Sequence, residues 1–333
     1  MKVAVIGATG LVGQNMIDVL NKENFPVTDF IPVASSASFG KTIPFRGNEY
    51  TIISHEEALA KKPHLALFSA GGDVSRKWAP QYAAQQCVVI DNSSAWRTNP
   101  DVPLVVPEIN ITSIKDIHTI IANPNCSTIQ MVVAIAPIHR QYGIKRLVIS
   151  TYQSVTGSGV KGMRQLKEEQ EGRRASLPAY PHPIHENIIP HAGEFDMEGY
   201  TSEERKLEFE TRKILDDYEI GITATVVRVP VLGGHSVSVN IQTEQAFQTD
   251  DIRRLLKAFQ GIIVQDDPQN NQYPMPLFAQ GLDQVLVGRI RRDSSMPNAL
   301  NLWIVSDNLR KGAATNAVQI AMGMLKMRLL PKF

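Results

Sequence analysis

The sequence predicts an α/β chain of two domains, a Rossmann-like parallel sheet at the N-terminus followed by a second, mixed α+β domain. Three observations carry this. Short apolar runs alternate with helical stretches through the first third of the chain, a glycine-rich turn follows the first run, and the β-rich runs lengthen from about Gly143. A length of 333 residues also exceeds one ordinary core and suits two.

The short runs Val3–Ile6, Phe30–Ala34, Leu65–Phe68, Val88–Ile90 and Thr119–Ile121 read as buried strands, and Leu11–Asn21, Val74–Gln86 and Ser127–Tyr142 as helices. Their alternation implies right-handed crossovers and a parallel sheet. In the second half, strands are expected at Ile144–Val155, Ile222–Val229, Val237–Gln242 and Gln284–Ile290, with helices at Val160–Glu171 and Ser202–Asp217. Arg173–Gly199, rich in Pro, Gly and His, reads as an excursion over the surface or into a partner subunit. Gly312–Arg328 is a long helical pattern expected to return to the first domain. The expected division is residues 1–126 with a C-terminal helix 312–333, and residues 127–311.

A formal net charge of +1 and scattered lysines and arginines give no footprint for nucleic acid. No apolar run approaches the roughly 18 residues of a membrane span. Met1–Ile6 enters a strand without a leader-type segment, and the two cysteines, Cys87 and Cys126, lack metal-ligand spacing. A reducing cytoplasm and no metal are therefore expected.

Gly7, Gly10 and Gly13 fall between a strand and a helix in VAVIGATGLVGQ. Glycines there let backbone N–H groups and a helix N-terminus approach a pyrophosphate. The spacing is GxxGxxG, a variant of the usual dinucleotide fingerprint, and a plain tight turn is the alternative. The second strand ends in VASSASFGK with no acid to hold a ribose 2′-hydroxyl. Ser35, Ser36 and Ser38, with Lys41 nearby, suit a 2′-phosphate, so NADP is expected over NAD.

Cys126 follows Asn123-Pro124-Asn125 and opens an apolar helix, where the dipole favours a thiolate and N–H groups can hold an oxyanion. The alternative is a small buried hydrophobe. A thiolate needs a proton partner. Among eight histidines, His235 stands out after Gly233-Gly234 between two β-rich runs, whereas His182, His185 and His191 read as surface or interface residues. Glu203 shares a helical stripe with Leu207, Ile214 and Tyr218. It either meets a ligand or simply favours the dipole of a helix capped by Thr201 and Glu204. Arg228 alternates with Ile222, Ala224 and Val226, which puts a guanidinium on an apolar face for a carboxylate or a structural ion pair. Arg97 read alone is a solvated loop charge.

Taken together, GATGLVG (7–13), SAGGDVS (69–75), DNSSAWR (91–97), VPEIN (106–110), NPNCST (123–128), YQSVTGSG (152–159), SEERKLEFETRKIL (202–215), RVPVLGGH (228–235) and LRKGAATNAVQIA (309–321) resemble the aspartate-semialdehyde dehydrogenase family along the whole chain. The resemblance implies that Cys126 forms an acyl-thioester, Gln153 orients thiol and substrate, and His235 is the acid/base. Arg228 would clamp the substrate carboxylate, Glu203 meet its amino group, Arg97 and Lys206 hold phosphate, and Asn125 contact substrate. Gly7, Thr9, Gly10, Leu11, Val12, the serines at 35, 36 and 38, Ala70, Gly71, Thr156, Gly157 and Asn316 would contact the cofactor. The implied reaction is the reversible NADPH-linked reduction of L-aspartyl 4-phosphate to the semialdehyde and phosphate, feeding lysine, threonine, methionine and diaminopimelate synthesis. A homodimer built on the second domain is implied as well. Some relatives carry arginine where Ala37 stands, which weakens the NADP preference. An N-acetyl-glutamyl-phosphate reductase would usually carry glycine where Asn125 stands. A non-catalytic dinucleotide sensor would not require Cys126, Gln153, Arg228 and His235 all to be present.

Overall fold

A computed structural model describes residues Met1–Leu330, so the last three residues of the expected 312–333 helix lie outside the described residues. The chain divides into two compact units, Met1–Asn125 with the segment from Ala313 onward, and Cys126–Gly312. Cys126 and Gly312, expected in the first unit, thus belong to the second.

The first unit runs β1 (Lys2–Ile6), α1 (Leu11–Lys22), β2 (Asp29–Val33), β3 (Thr42–Phe45), β4 (Asn48–Thr51), α2 (His55–Ala60), β5 (Leu65–Phe68), α3 (Gly72–Ala84), β6 (Val88–Asp91), α4 (Pro107–Asn110) and β7 (Ile120–Ala122). Strands β2-β1-β5-β6-β7 form one parallel sheet, while β3 and β4 make a separate hairpin. The second unit runs α5 (Cys126–Tyr142), β8 (Ile144–Gln153), α6 (Gly159–Gln170), α7 (Ser202–Leu215), β9 (Gly221–Arg228), β10 (His235–Thr243), α8 (Thr249–Ala258), β11 (Ile262–Val264), α9 (Pro276–Ala279), β12 (Val285–Arg292) and β13 (Ala299–Ser306). After it, α10 (Thr315–Lys326) completes the first unit.

Both faces of the parallel sheet are buried. Val3, Val5, Leu65, Leu67, Val88 and Ile90 pack with Met16 and Leu20 of α1 and with Ala317, Val318 and Ala321 of α10. Ala4, Ile6, Ile31, Val33, Ala66, Phe68 and Val89 pack on the other side with Ala79 and Tyr82 of α3. Burial on two faces explains why these strands read as continuous apolar runs. The strand order reverses direction at β1, beside β5, the place where open α/β sheets bind ligands beyond their carboxyl ends.

The second unit is a six-stranded mixed sheet in the order β11-β12-β13-β10-β8-β9, with β8–β9 and β11–β12 parallel and the other pairs antiparallel. Helix α5 packs on β8, β10, β12 and β13, and α7 packs on α5 and β9. In α7, Thr201 and Glu204 form the expected capping box, and Glu204 also accepts from the Val226 backbone N–H at 2.9 Å. Leu207 and Ile214 are buried as their stripe requires, whereas Tyr218 lies past the helix end and is exposed. The 173–199 segment is pinned to α6. Glu169 accepts from the N–H groups of Ile184 and His185, Gln165 from those of Ala179 and Tyr180, and Glu168 from that of Ser176. Among the described residues no helix is long and apolar enough to cross a membrane.

The β1–α1 turn gives the first test. A methyl on Gly13 would stand 2.2 Å from the Gly7 carbonyl oxygen, so helix and strand approach only because Cβ is missing. Gly13→Ala should destabilise the protein beyond the about 1–3 kcal/mol of ordinary overpacking. Chemical denaturation checks this, and a midpoint equal to wild type would refute it.

Candidate active site

In the first unit, the loops at the carboxyl ends of β1, β2 and β5 present the residues expected at a cofactor. Gly7 has φ +81°, its N–H donates to Val33 O at 2.8 Å, and a methyl there would meet Ser69 O at 2.9 Å. The cradle is one that a side chain would fill, and α1 begins directly after it with Gly10 as N-cap and no acid in its first turn. This fits a pyrophosphate. Thr9 is exposed and Leu11 and Val12 half-buried at that helix start, while Ala70 and Gly71 (φ +89°) form the corresponding turn before α3. After β2, Ser36–Ser38 make a short 3₁₀ turn with Ser35 and Ser36 exposed and Ser38 half-buried.

At the carboxyl ends of β6 and β7 the first unit holds a buried polar cluster. Arg97 donates through Nε to Asn123 O at 3.0 Å and through Nη2 to Asn92 O at 2.9 Å. It is therefore a fixed, buried guanidinium and not a solvated loop charge. Asn123 donates to Asn92 Oδ1 at 2.7 Å and to Ala313 O at 3.1 Å. Asn316 is enclosed, its amide nitrogen donating to Val105 O and to Asn123 Oδ1 at 2.9 and 2.7 Å. These bonds join the side chain to the Asn123 cluster. Asn125, also buried, ends the segment that this cluster fixes.

In the second unit, Cys126 is the first residue of α5, with no acid in the first turn of that helix. The sulfur thus sits at the positive end of a long, largely buried helix, where a thiolate is favoured. Gln153, buried at the end of β8, donates to Ser127 Oγ at 3.0 Å, one residue from the cysteine. A methyl on Gly312 would lie 2.9 Å from Cys126 Cβ, so this glycine leaves room for the cysteine.

His235 opens β10, two residues before the expected strand start, and is fully buried between β8 and β13. Its Nδ1 accepts from the Ser154 N–H at 3.0 Å, and its buried Nε2 has no hydrogen-bond partner among the described residues. Arg228, at the end of β9, points to the same side as Ala224 and Val226 and is buried as expected. Its Nη1 donates to Ser154 O at 2.8 Å, and Nε is buried without a partner. Its backbone is paired in both directions with Ile189. Among the described residues no carboxylate forms an ion pair with this guanidinium. A buried cation held by one carbonyl and by the face of the Tyr180 ring, 5.9 Å away, with no carboxylate beside it, suits an anionic ligand. Burial, and then the charge of Arg228, push the His235 pKa well below the usual imidazole value, against the opposing pull of the Gly234 carbonyl.

Gly157 lies against both groups. A methyl there would stand 2.7 Å from Arg228 Nη1 and 3.1 Å from His235 Nε2. The hydroxyl of Thr156 is buried, bonded to Asn308 Oδ1 at 2.9 Å and to Ser154 Oγ at 2.5 Å. Glu203 and Lys206 form an ion pair with each other at the start of α7. Sequence reasoning misses Ser154, Asn308, Gln130 and Gly312. Gln130, one turn along α5 from Cys126, donates to the His235 carbonyl at 3.1 Å, tying the cysteine's helix to the histidine's strand. Its helical spacing from Cys126 is the one signal that could have found it.

A glycine-cradled parallel sheet, and a cysteine at a helix start near a buried histidine and an unbalanced arginine, define a dinucleotide-fold protein with a thiol centre. The family model for the semialdehyde dehydrogenase NAD binding domain matches residues 2–117, and that for the semialdehyde dehydrogenase dimerisation domain matches 135–311. An aspartate-semialdehyde dehydrogenase of Aquifex aeolicus (strain VF5) is 50% identical over 99% of each chain. The crystal structure of aspartate semialdehyde dehydrogenase II of Vibrio cholerae complexed with ASA is 43% identical, with a TM-score of 0.93 over 97% of this chain and 98% of that one. The enzyme of Candida albicans with NADP is 25% identical, with a TM-score of 0.77 over 98% and 99%. The chain belongs to the aspartate-semialdehyde dehydrogenase family.

Gly157→Ala should displace Arg228 and His235 together. Expected is a loss in kcat/KM of about 100-fold or more, on the scale of a misplaced catalytic group. Steady-state kinetics beside a circular dichroism melt check it, and near-normal kcat/KM would show that the two groups tolerate the displacement.

Proposed function

We propose that this chain catalyses the reversible, NADP-linked reductive dephosphorylation of L-aspartyl 4-phosphate to L-aspartate 4-semialdehyde, in the synthesis of lysine, threonine, methionine and diaminopimelate. The observation that carries the reading is the buried set in the second unit. Cys126 opens α5, Gln153 bonds its neighbour Ser127, and His235 and Arg228 are both anchored on Ser154. The names of the relatives supply the substrate, and the exposed serines after β2 with no acid beside them support NADP.

In this reading the Cys126 thiolate attacks the acyl phosphate carbon and phosphate leaves, which forms a thioester. Arg97 and Lys206 are the cations proposed for phosphate. Arg228 takes the substrate carboxylate as the anion it lacks, Glu203 receives the amino group, and Asn125 contacts substrate. Gln153 fixes the cysteine's turn, and His235 serves the reacting oxygen as the proposed acid/base. A nicotinamide dinucleotide held by Gly7–Val12, Ser35, Ser36, Ser38, Ala70 and Gly71 would exchange a hydride with the acyl carbon. Thr156 and Gly157, proposed near the cofactor, also set the floor beneath Arg228 and His235. A homodimer is supported by the description of the model that matches the second unit.

The test is phosphate-dependent NADP reduction with L-aspartate semialdehyde, run beside N-acetyl-glutamate semialdehyde. Turnover of the aspartate substrate with a lower KM for NADP than for NAD is expected. Cys126→Ala should abolish it and leave NADP binding unchanged, whereas a variant that still turns over would remove the thioester from the mechanism.

A further inference from the structure

We propose that Tyr180 is a positioning residue for Arg228, an uncharged ring that steadies the guanidinium without neutralising it, and that residues 173–199 fold to deliver that ring. The inference rests on the reading of Arg228 as the clamp for the substrate carboxylate.

A buried guanidinium needs a partner, and the usual one is a carboxylate. A carboxylate of the protein would also fill the place that a ligand's own carboxylate has to take. The Arg228 Cζ lies instead over the Tyr180 ring, 5.9 Å from its centroid. The face of an aromatic ring attracts a cation, yet it brings no net charge. Burial pushes the Tyr180 phenol up, against the pull of the Arg228 charge and the Ser158 hydroxyl, so the phenol stays neutral. Arg228 is thereby held but not neutralised. Its Nε, buried and without a partner among the described residues, is left to an anion.

The stretch that bears the ring has no helix, and an irregular run of this length inside a folded unit usually serves a site. It is fixed at several points. Gln165 of α6, itself buried, accepts from the N–H groups of Ala179 and Tyr180 at 2.7 and 3.0 Å. The Gln165 amide nitrogen donates to Glu169 Oε1 at 2.8 Å and to His182 O at 3.2 Å. Val155, Leu166, Ile184 and Ile189 form a small buried cluster of their own, and Met163 and Tyr180 pack against it. A methyl on Gly162 would come within 2.8 Å of the Tyr180 hydroxyl and 2.5 Å of Val155 O. Ring, α6 and the turn that carries Thr156 and Gly157 therefore close on one another. Ile189 pairs its backbone with Arg228 in both directions, at 2.9 and 2.8 Å. One segment thus grips Arg228 twice, by main chain at Ile189 and by the ring at Tyr180.

Steady-state kinetics on the full chain test this, with L-aspartate semialdehyde, inorganic phosphate and NADP each varied in turn. Tyr180→Leu should raise the KM for the semialdehyde about tenfold, roughly the worth of a desolvated cation–π contact. Its kcat should fall less than about threefold and its KM for phosphate and NADP should change less than about twofold, because binding alone is lost. Tyr180→Phe keeps the ring face and should restore the semialdehyde KM to near wild type. Tyr180→Met, a long apolar chain without a ring, gives the same readout if a thermal melt shows that Leu unsettles the fold. A semialdehyde KM unchanged in both Leu and Met, or raised as much in Phe as in Leu, overturns the proposal. So does an equal rise in all three KM values, the mark of a merely structural role. Arg228→Gln separates the proposal from the reading beneath it. If that variant leaves the semialdehyde KM unchanged, the carboxylate reading of Arg228 falls. If it raises that KM while Tyr180→Leu does not, only the role of Tyr180 falls.

Discussion

Ser154 is a single residue whose every polar atom is engaged. Its N–H holds His235, its carbonyl holds Arg228, and its hydroxyl joins Thr156 and Asn308. It follows Gln153 at the end of β8, which β9 flanks on one side and β10 on the other. The residues that matter stand at the ends of those two strands: Arg228 closes β9 and His235 opens β10. Three neighbouring strands thus deliver three side chains to one place, and a single residue, through its two adjacent peptide groups, sets the spacing between two of them. Such hydrogen bonds contribute about 1 kcal/mol each to stability. Their larger effect is on orientation, because they leave Nε2 of His235 and the Nε of Arg228 as the atoms still to be satisfied.

The first unit reaches the same end by different means. Its parallel strands are buried on both faces, so polar chemistry is confined to their carboxyl ends. There Gly7 lets the turn close against Ser69 and Gly13 lets the helix close onto Gly7, and Asn123, Asn92, Asn316 and Arg97 interlock around the last strand. That interlock fixes the chain just before Asn125.

How much of this the sequence reveals depends on which atoms carry the interaction. The parallel strands, the caps of α7 and the helix behind Cys126 are local patterns, and they read well. β13 is passed over although Leu300, Leu302 and Ile304 are buried in alternation with the half-buried Asn301 and Trp303, because that alternation spans only five residues. Arg97 looks like a loop charge because its acceptors are backbone carbonyls, one of them 26 residues away. Ser154 is invisible for the same reason, since a peptide group acts identically whatever side chain it bears. Motif resemblance points to Gln153, Arg228 and His235, but it cannot say that the main-chain N–H of Ser154 meets Nδ1 of the histidine.

The electrostatics of the second unit then follow from an imbalance. Among the described residues no carboxylate pairs with the buried Arg228, and its charge lowers the neighbouring imidazole's affinity for a proton. A substrate carboxylate on Arg228 would cancel that part of the depression. It would not cancel burial, which is the larger cause, nor would it remove the Ser154 N–H from Nδ1. Burial and the Ser154 N–H therefore go on disfavouring a charged ring when the arginine is neutralised. A ligand on Arg228 would meet surroundings that burial already keeps dry, where a charge-assisted hydrogen bond gains from the low local dielectric. Arg228 and His235 are in this way coupled through the one residue, Ser154, that both engage.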